Sequence, residues 1–241
     1  MSASPDPLGV PQNGSATDAA VHALGVTHHE GTAAAPGPES PAADVEAEGP
    51  PAFYYDFRDP WSYLAAERVL QTLPVATPWV PIDASRLPGP HAWEGFRCAA
   101  DQDAARERVA QVARERGLQP VRWPVEVPFD SRLALLAAWY AKGIGRVVSF
   151  SLPAFRQAFA GGHDLSTETY VLLAASACEM HPRAVVQAFG RPSVAAELDD
   201  ATTRAIERGV QTVPAVWTGD RIFHGDDQLE AAAAYLMPAD A

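Results

Sequence analysis

An apolar, aromatic run of strand length, AFYYDF at residues 52–57, breaks at once into Asp59-Pro60-Trp61-Ser62. Aspartate is a preferred helix N-cap. Proline suits the first helical position, where its missing N–H would find no partner anyway. Leu64, Ala65, Arg68 and Val69 continue at helical spacing to about Leu73, and Pro74 ends the helix. Pro78-Trp79-Val80-Pro81-Ile82 then reads as a second short strand. Strand, helix and strand within about thirty residues predict a right-handed parallel unit.

The middle of the chain has helical periods. Residues 101–116 place Ala105, Val109, Val112 and Arg116 on one side. Residues 132–142 place Leu133, Leu136 and Tyr140 three and four apart, and Gly143 stops them. Further helices are predicted over 152–159, 167–178 with Ser166 as its cap, 182–189 and 194–208. The period then changes. Residues 211–217 and 221–223 read as strands joined by the turn Thr218-Gly219-Asp220. Asp226 or Asp227 is the expected cap of a last helix over 229–236. The plan is β-α-β, a block of helices, then β-β-α: an α/β architecture with residues 51–84 and 209–238 as one domain and 85–208 as a helical insertion.

Residues 1–50 differ in composition. They hold seven Pro, six Gly and eleven Ala, with no Phe, Trp or Tyr and no Lys or Arg. Such a stretch cannot bury enough apolar surface to offset its ordering entropy, so a disordered arm is expected. It carries seven acids, and thus −7 of the formal charge of −12. A net acidic chain is a poor partner for nucleic acid or an anionic membrane surface. No apolar run is long enough to span a bilayer, and no basic segment leads into an apolar one as in a signal peptide, so a cytoplasmic location is expected. The expected partner is a small-molecule substrate, with a homodimer left open. Cys98 and Cys178, far apart, exclude a disulfide-dense scaffold and a four-cysteine metal site.

Two segments carry a family resemblance: FYYDFRDPWSYLAAERV, residues 53–69, and GVQTVPAVWTGDRIFHGDDQLE, residues 209–230. Together they resemble the DsbA-like family of the thioredoxin fold, nearest its branch of 2-hydroxychromene-2-carboxylate isomerases and kappa-class glutathione transferases. The segments PVEVPFDSRLALLAAWYA and FRQAFAGGHDLS between them resemble the helical insertion of that branch. The resemblance implies that the start of the first helix faces a cis peptide bond before Pro214. The helix dipole then favours an anion there, typically a thiolate. The backbone of Val213 is left to pair, strand-like, with a peptidic ligand. It also implies glutathione or another low-molecular-weight thiol as cofactor.

The chain departs from that pattern where the chemistry lies. Thiol–disulfide enzymes of this fold carry Cys-x-x-Cys at the helix start, and here both sulfurs are missing, so self-contained disulfide exchange is excluded. The branch has a serine before the proline, against the glutathione sulfur; Asp59 stands there. An N-cap carboxylate is expected to be ionised, because amide hydrogen bonds favour the charged form. Two charges about 4 Å apart at an effective dielectric near 20 repel by roughly 4 kcal/mol. Asp59 is therefore either a base toward a thiol or carbon acid, or a helix cap only. Ser62 occupies the second cysteine position and joins Asp59 as a candidate catalytic residue, with no histidine in the motif to activate it. Val213, Pro214, Asp226 and Asp227 are the candidate cofactor-binding residues. Asp227 matches the branch's amine-binding acid, whereas Gln228 stands where the branch has arginine. His224 is the one histidine that qualifies as an acid or base.

Three functions stay open on the sequence. One is a thiol-assisted isomerase or transferase acting on an unsaturated organic acid. The others are an oxidoreductase-like protein that borrows its thiol and a non-catalytic binding protein.

Overall fold

The computed structural model describes residues 49–90 and 93–237; the expected disordered arm falls almost entirely outside the described residues. Strand β1 (Ala52–Tyr55) lies inside a four-stranded mixed sheet in the order β2-β1-β3-β4. It pairs parallel with β2 (Trp79–Pro81) and antiparallel with β3 (Ala215–Trp217). Strand β3 pairs antiparallel with β4 (Ile222–His224). This is the thioredoxin-like arrangement that the β-α-β and β-β-α ends predict.

Alternation along β1 sends Phe53, Tyr55 and Phe57 to one face of the sheet. Their rings meet at 5.5 Å in each successive pair. Phe155 of helix α5 (Val147–Phe159) closes on them, 4.9 Å from Phe57. On the opposite face Tyr54 accepts a hydrogen bond from Arg208, whose guanidinium also covers Trp217. The core thus clamps β1 from both sides, which fixes the point where the chain leaves it.

The first helix is shorter than its sequence predicts. Helix α1 spans Pro60–Ala66 and breaks at Glu67–Arg68 before the single turn α2 (Val69–Thr72). The expected long dipole is therefore confined to a seven-residue segment. The strand predicted over 211–217 is shortened too. Gln211 donates its N–H to His224 Nε2, and its carbonyl accepts from Gly89, so the segment before Pro214 peels off the sheet. Helix α5 begins five residues before the predicted start because buried Phe150 extends its apolar face and the buried Ser151 hydroxyl bonds that of Tyr55 at 2.6 Å, and it tolerates Pro153 inside.

Helices α3 (Ala99–Glu115), α4 (Arg132–Gly143), α6 (Glu168–Ala177), α7 (Pro182–Phe189) and α8 (Pro192–Glu207) lie between β2 and β3 in the chain. Thr167, not Ser166, precedes α6, and it makes no side-chain cap bond. On the outer side of β2, Lys142 and Trp139 of α4 donate to the carbonyls of Trp79 and Pro81. Those bonds occupy acceptors that an exposed edge would offer to another chain. Among the described residues no helix is long and apolar enough to cross a membrane.

Candidate functional site

Asp56 anchors the turn between β1 and α1. Its fully buried carboxylate accepts from the N–H groups of Arg58, at 3.1 Å, and Ala84, at 2.8 Å. Burial holds this carboxyl up at about 6, against the hydrogen bonds that lower it. Three residues on, Asp59 caps α1. Its Oδ2 accepts from the Ser62 N–H at 2.7 Å and the Ser62 hydroxyl at 2.8 Å. The cap expectation is met, and Ser62 is buried with its hydroxyl committed to Asp59.

The other carboxyl oxygen is different. Asp59 Oδ1 is buried and has no hydrogen-bond partner among the described residues. The Trp61 amide leans on the carboxyl without reaching hydrogen-bond geometry. Asp59 as a whole is only 4% exposed. Burial raises its pKa to about 7; the Ser62 hydrogen bonds pull it down, and Asp56 pushes it further up. The expectation of a fully ionised N-cap carboxylate is thus corrected. Loss of water around the charge outweighs the two hydrogen bonds that favour it.

Asp59 lines a narrow slot of ≈ 30 Å³, walled by Leu87, Pro90, Trp93, Pro128, Thr212 and Val213, with Arg58 at its rim paired to Glu94 at 3.1 Å. Thr212 and Val213 also line a second, larger cleft of ≈ 370 Å³ together with Trp61, Pro214 and Asp227. The carboxyl that opens α1 and the prolyl loop therefore border one crevice. The Val213–Pro214 bond is cis. Gly89 holds the loop in place: its N–H bonds the Gln211 carbonyl at 3.0 Å, and any Cβ there would sit 2.4 Å from that oxygen.

Across the cleft, the helical segment brings up charges that the sequence alone did not place. Arg116, just after α3, grips buried Asp226 with both guanidinium nitrogens, at 2.9 and 2.5 Å. Arg68 approaches the same carboxylate at 3.6 Å and also pairs with Glu230. Asp226 is therefore an ion-pair partner. It does not cap the last helix: residues 226–228 form a separate turn, and α9 (Leu229–Leu236) starts without a side-chain cap bond. Asp227 remains exposed at the cleft edge, with Arg108 of α3 lining the same cleft. Arg108 has no ion pair among the described residues. One sign was available in the sequence: Arg116 shares a helix face with Val109 and Val112. Nothing there pairs it with residue 226.

Apart from Trp61, the remaining candidates fall outside this crevice. His224 spends its Nε2 as acceptor for Gln211, and burial lowers its pKa, so it is a neutral strut of the prolyl loop. Cys178 is buried and its thiol is raised by burial; Cys98 is exposed and precedes α3. Trp61 lines the cleft, whereas Tyr54 and Trp217 are core.

The profile of the DSBA-like thioredoxin domain matches residues 52–237. The chain belongs to that family. A 2-hydroxychromene-2-carboxylate isomerase from Sphingobium xenophagum is 26% identical over 199 residues, 77% of this chain and 96% of that protein. The structure of a selenomethionine 2-hydroxychromene-2-carboxylate isomerase superimposes with a TM-score of 0.68 at 22% identity, covering 77% of this chain and 93% of that one. The cytosolic disulfide reductase DsbM from Pseudomonas aeruginosa, solved with GSH, gives 0.56 at 16% identity over 77% and 96%. At these identities the structural likenesses speak for the fold. Within this DSBA-like domain, no sulfur stands at the start of the first helix, and a buried carboxyl held up at about 7 takes that place.

Proposed function

We propose that this DSBA-like protein is a thiol-dependent isomerase or transferase acting on an unsaturated, aromatic organic acid, with the thiol drawn from glutathione or another low-molecular-weight thiol. The observation that carries this reading is the crevice itself. A buried, unpartnered carboxyl oxygen borders the same prolyl loop as a charged cleft, in a place that holds no protein thiol.

The residues fit a peptidic thiol. The N–H and C=O of Val213 make no hydrogen bond among the described residues and can pair with a cofactor backbone. Asp227 can take its ammonium group and Arg108 a carboxylate, so the positive charge that Gln228 does not supply comes from α3. Asp226, held by Arg116, keeps that wall in place. When bound, the thiol supplies a nucleophilic sulfur that the chain itself lacks. Asp59 faces the sulfur, and Ser62 orients the carboxyl. Leu87, Pro90, Trp93 and Pro128 wall the Asp59 side of the crevice and exclude water from it.

Trp61 and Trp93 line the two cavities, so their fluorescence reports occupancy. Titration with glutathione is expected to give a saturable change in the millimolar range or below. An unchanged signal at millimolar thiol would reject the cofactor role. An insulin-reduction assay is expected to show no turnover above the free thiol, and robust turnover would favour a disulfide reductase instead.

A further inference from the structure

We propose that Asp59 Oδ1 shares a single proton with the sulfur of the bound thiol, which makes Asp59 the group that removes the thiol proton and returns it. This rests on the thiol-dependent reading above. It adds a function for an oxygen that a helix cap leaves idle.

The two oxygens of Asp59 have separate surroundings. Oδ2 receives both Ser62 donors, whereas Oδ1 receives no hydrogen bond and is buried at the slot. An acceptor stripped of water and left unpaired is costly unless a donor arrives or a proton is bound there. A thiol supplies that donor. The S–H bond breaks as the O–H bond at Oδ1 forms, and the electron pair stays on sulfur. The reverse transfer returns the proton. The total charge of the pair is one negative throughout, and no oxidant or reductant takes part.

The neighbours act in both directions: the two Ser62 donors favour the carboxylate, and burial favours the acid. Asp56, on the same turn, disfavours a charge on Asp59. Arg58 and Glu94 border the slot but pair with each other. Leu87, Trp93 and Pro128 on one wall, and Thr212 and Val213 on the other, carry no charge. The carboxyl, held up at about 7, lies close enough to an ordinary thiol near 8.5 for either atom to hold the proton.

Calorimetric titration with glutathione from pH 6 to pH 9.5 tests this on the wild-type protein and on Asp59→Asn. Asparagine keeps the cap but cannot ionise. S-methylglutathione, which retains the amine and lacks an acidic sulfur, corrects for other titrations. Wild-type affinity for glutathione is expected to fall about tenfold between pH 7.5 and pH 9.5, as the free thiol loses the proton that the pair needs. The Asp59→Asn protein, always a donor, is expected to hold or gain affinity over that range, and Asp59→Ser to follow it. Parallel profiles for wild type and Asp59→Asn overturn the proposal and leave the thiol reading standing. No binding by any of the proteins overturns both.

Discussion

Replacing Asp226 by alanine is expected to lower folding stability by about 3 kcal/mol. The carboxylate is 4% exposed and is held by the full fork of Arg116, with Arg68 3.6 Å from one of its oxygens. Truncation leaves the Arg116 guanidinium without its anion, while Arg68 keeps Glu230. Removing one partner of a buried pair costs about 3–5 kcal/mol, because the remaining charge stays desolvated. The arginines are 21% and 22% exposed, so water recovers part of that loss and the lower figure applies. The same pair ties the end of α3 to the turn before α9, so the cleft loses a wall and thiol affinity falls with stability. Urea unfolding of Asp226→Ala beside Asp227→Ala checks this. The exposed Asp227 is expected to change stability by about 0.5 kcal/mol or less. Equal midpoints for the two variants would contradict the role given to Asp226.

Asp59→Asn is expected to stabilise the protein at alkaline pH and to have little effect in acid. The folded carboxyl titrates at about 7 against an ordinary value of 3.8. A folded-state pKa raised above the unfolded one gives stability that is fully present below the unfolded value. It is lost as the pH rises through the folded value. The wild-type protein therefore loses stability between about pH 4 and pH 7, by an amount on the order of 4 kcal/mol once the carboxyl is fully ionised. Asp56, held at about 6, adds to the loss over the same range. His224 acts oppositely: its pKa is lowered by burial, so its contribution is present above its ordinary value of 6.5 and is lost as the pH falls. Comparing wild type with Asp59→Asn cancels His224 and all of Asp56 except its coupling to Asp59. The difference in unfolding free energy is expected to open between pH 4 and pH 7 and then to level off. A difference that stays constant from pH 4 to pH 8 would show an ionised Asp59 in the fold.

The fold was legible because its two ends carry short-range signals. AFYYDF followed by Asp-Pro, and strand-turn-strand at 215–224, depend on neighbours within a few residues. The cap at Asp59 was legible for the same reason. The charge state of Asp59 was not, because its burial comes from residues far along the chain, such as Leu87, Trp93 and Val213. The positive wall of the cleft was hidden in the same way: Arg116 and Asp226 are 110 positions apart. Asp226 also showed how a local rule misleads. An acid before an apolar helical run reads as a cap, and here a pair of arginines competes for it and wins.

The central claim is that a low-molecular-weight thiol lies in the crevice with its sulfur at Asp59 and its backbone along Val213. A crystal structure of the protein soaked with glutathione measures this directly. The expected result is sulfur within hydrogen-bond reach of Asp59 Oδ1 and main-chain hydrogen bonds from the ligand to Val213. Glutathione bound elsewhere, or bound with its sulfur turned away from Asp59, would contradict the account.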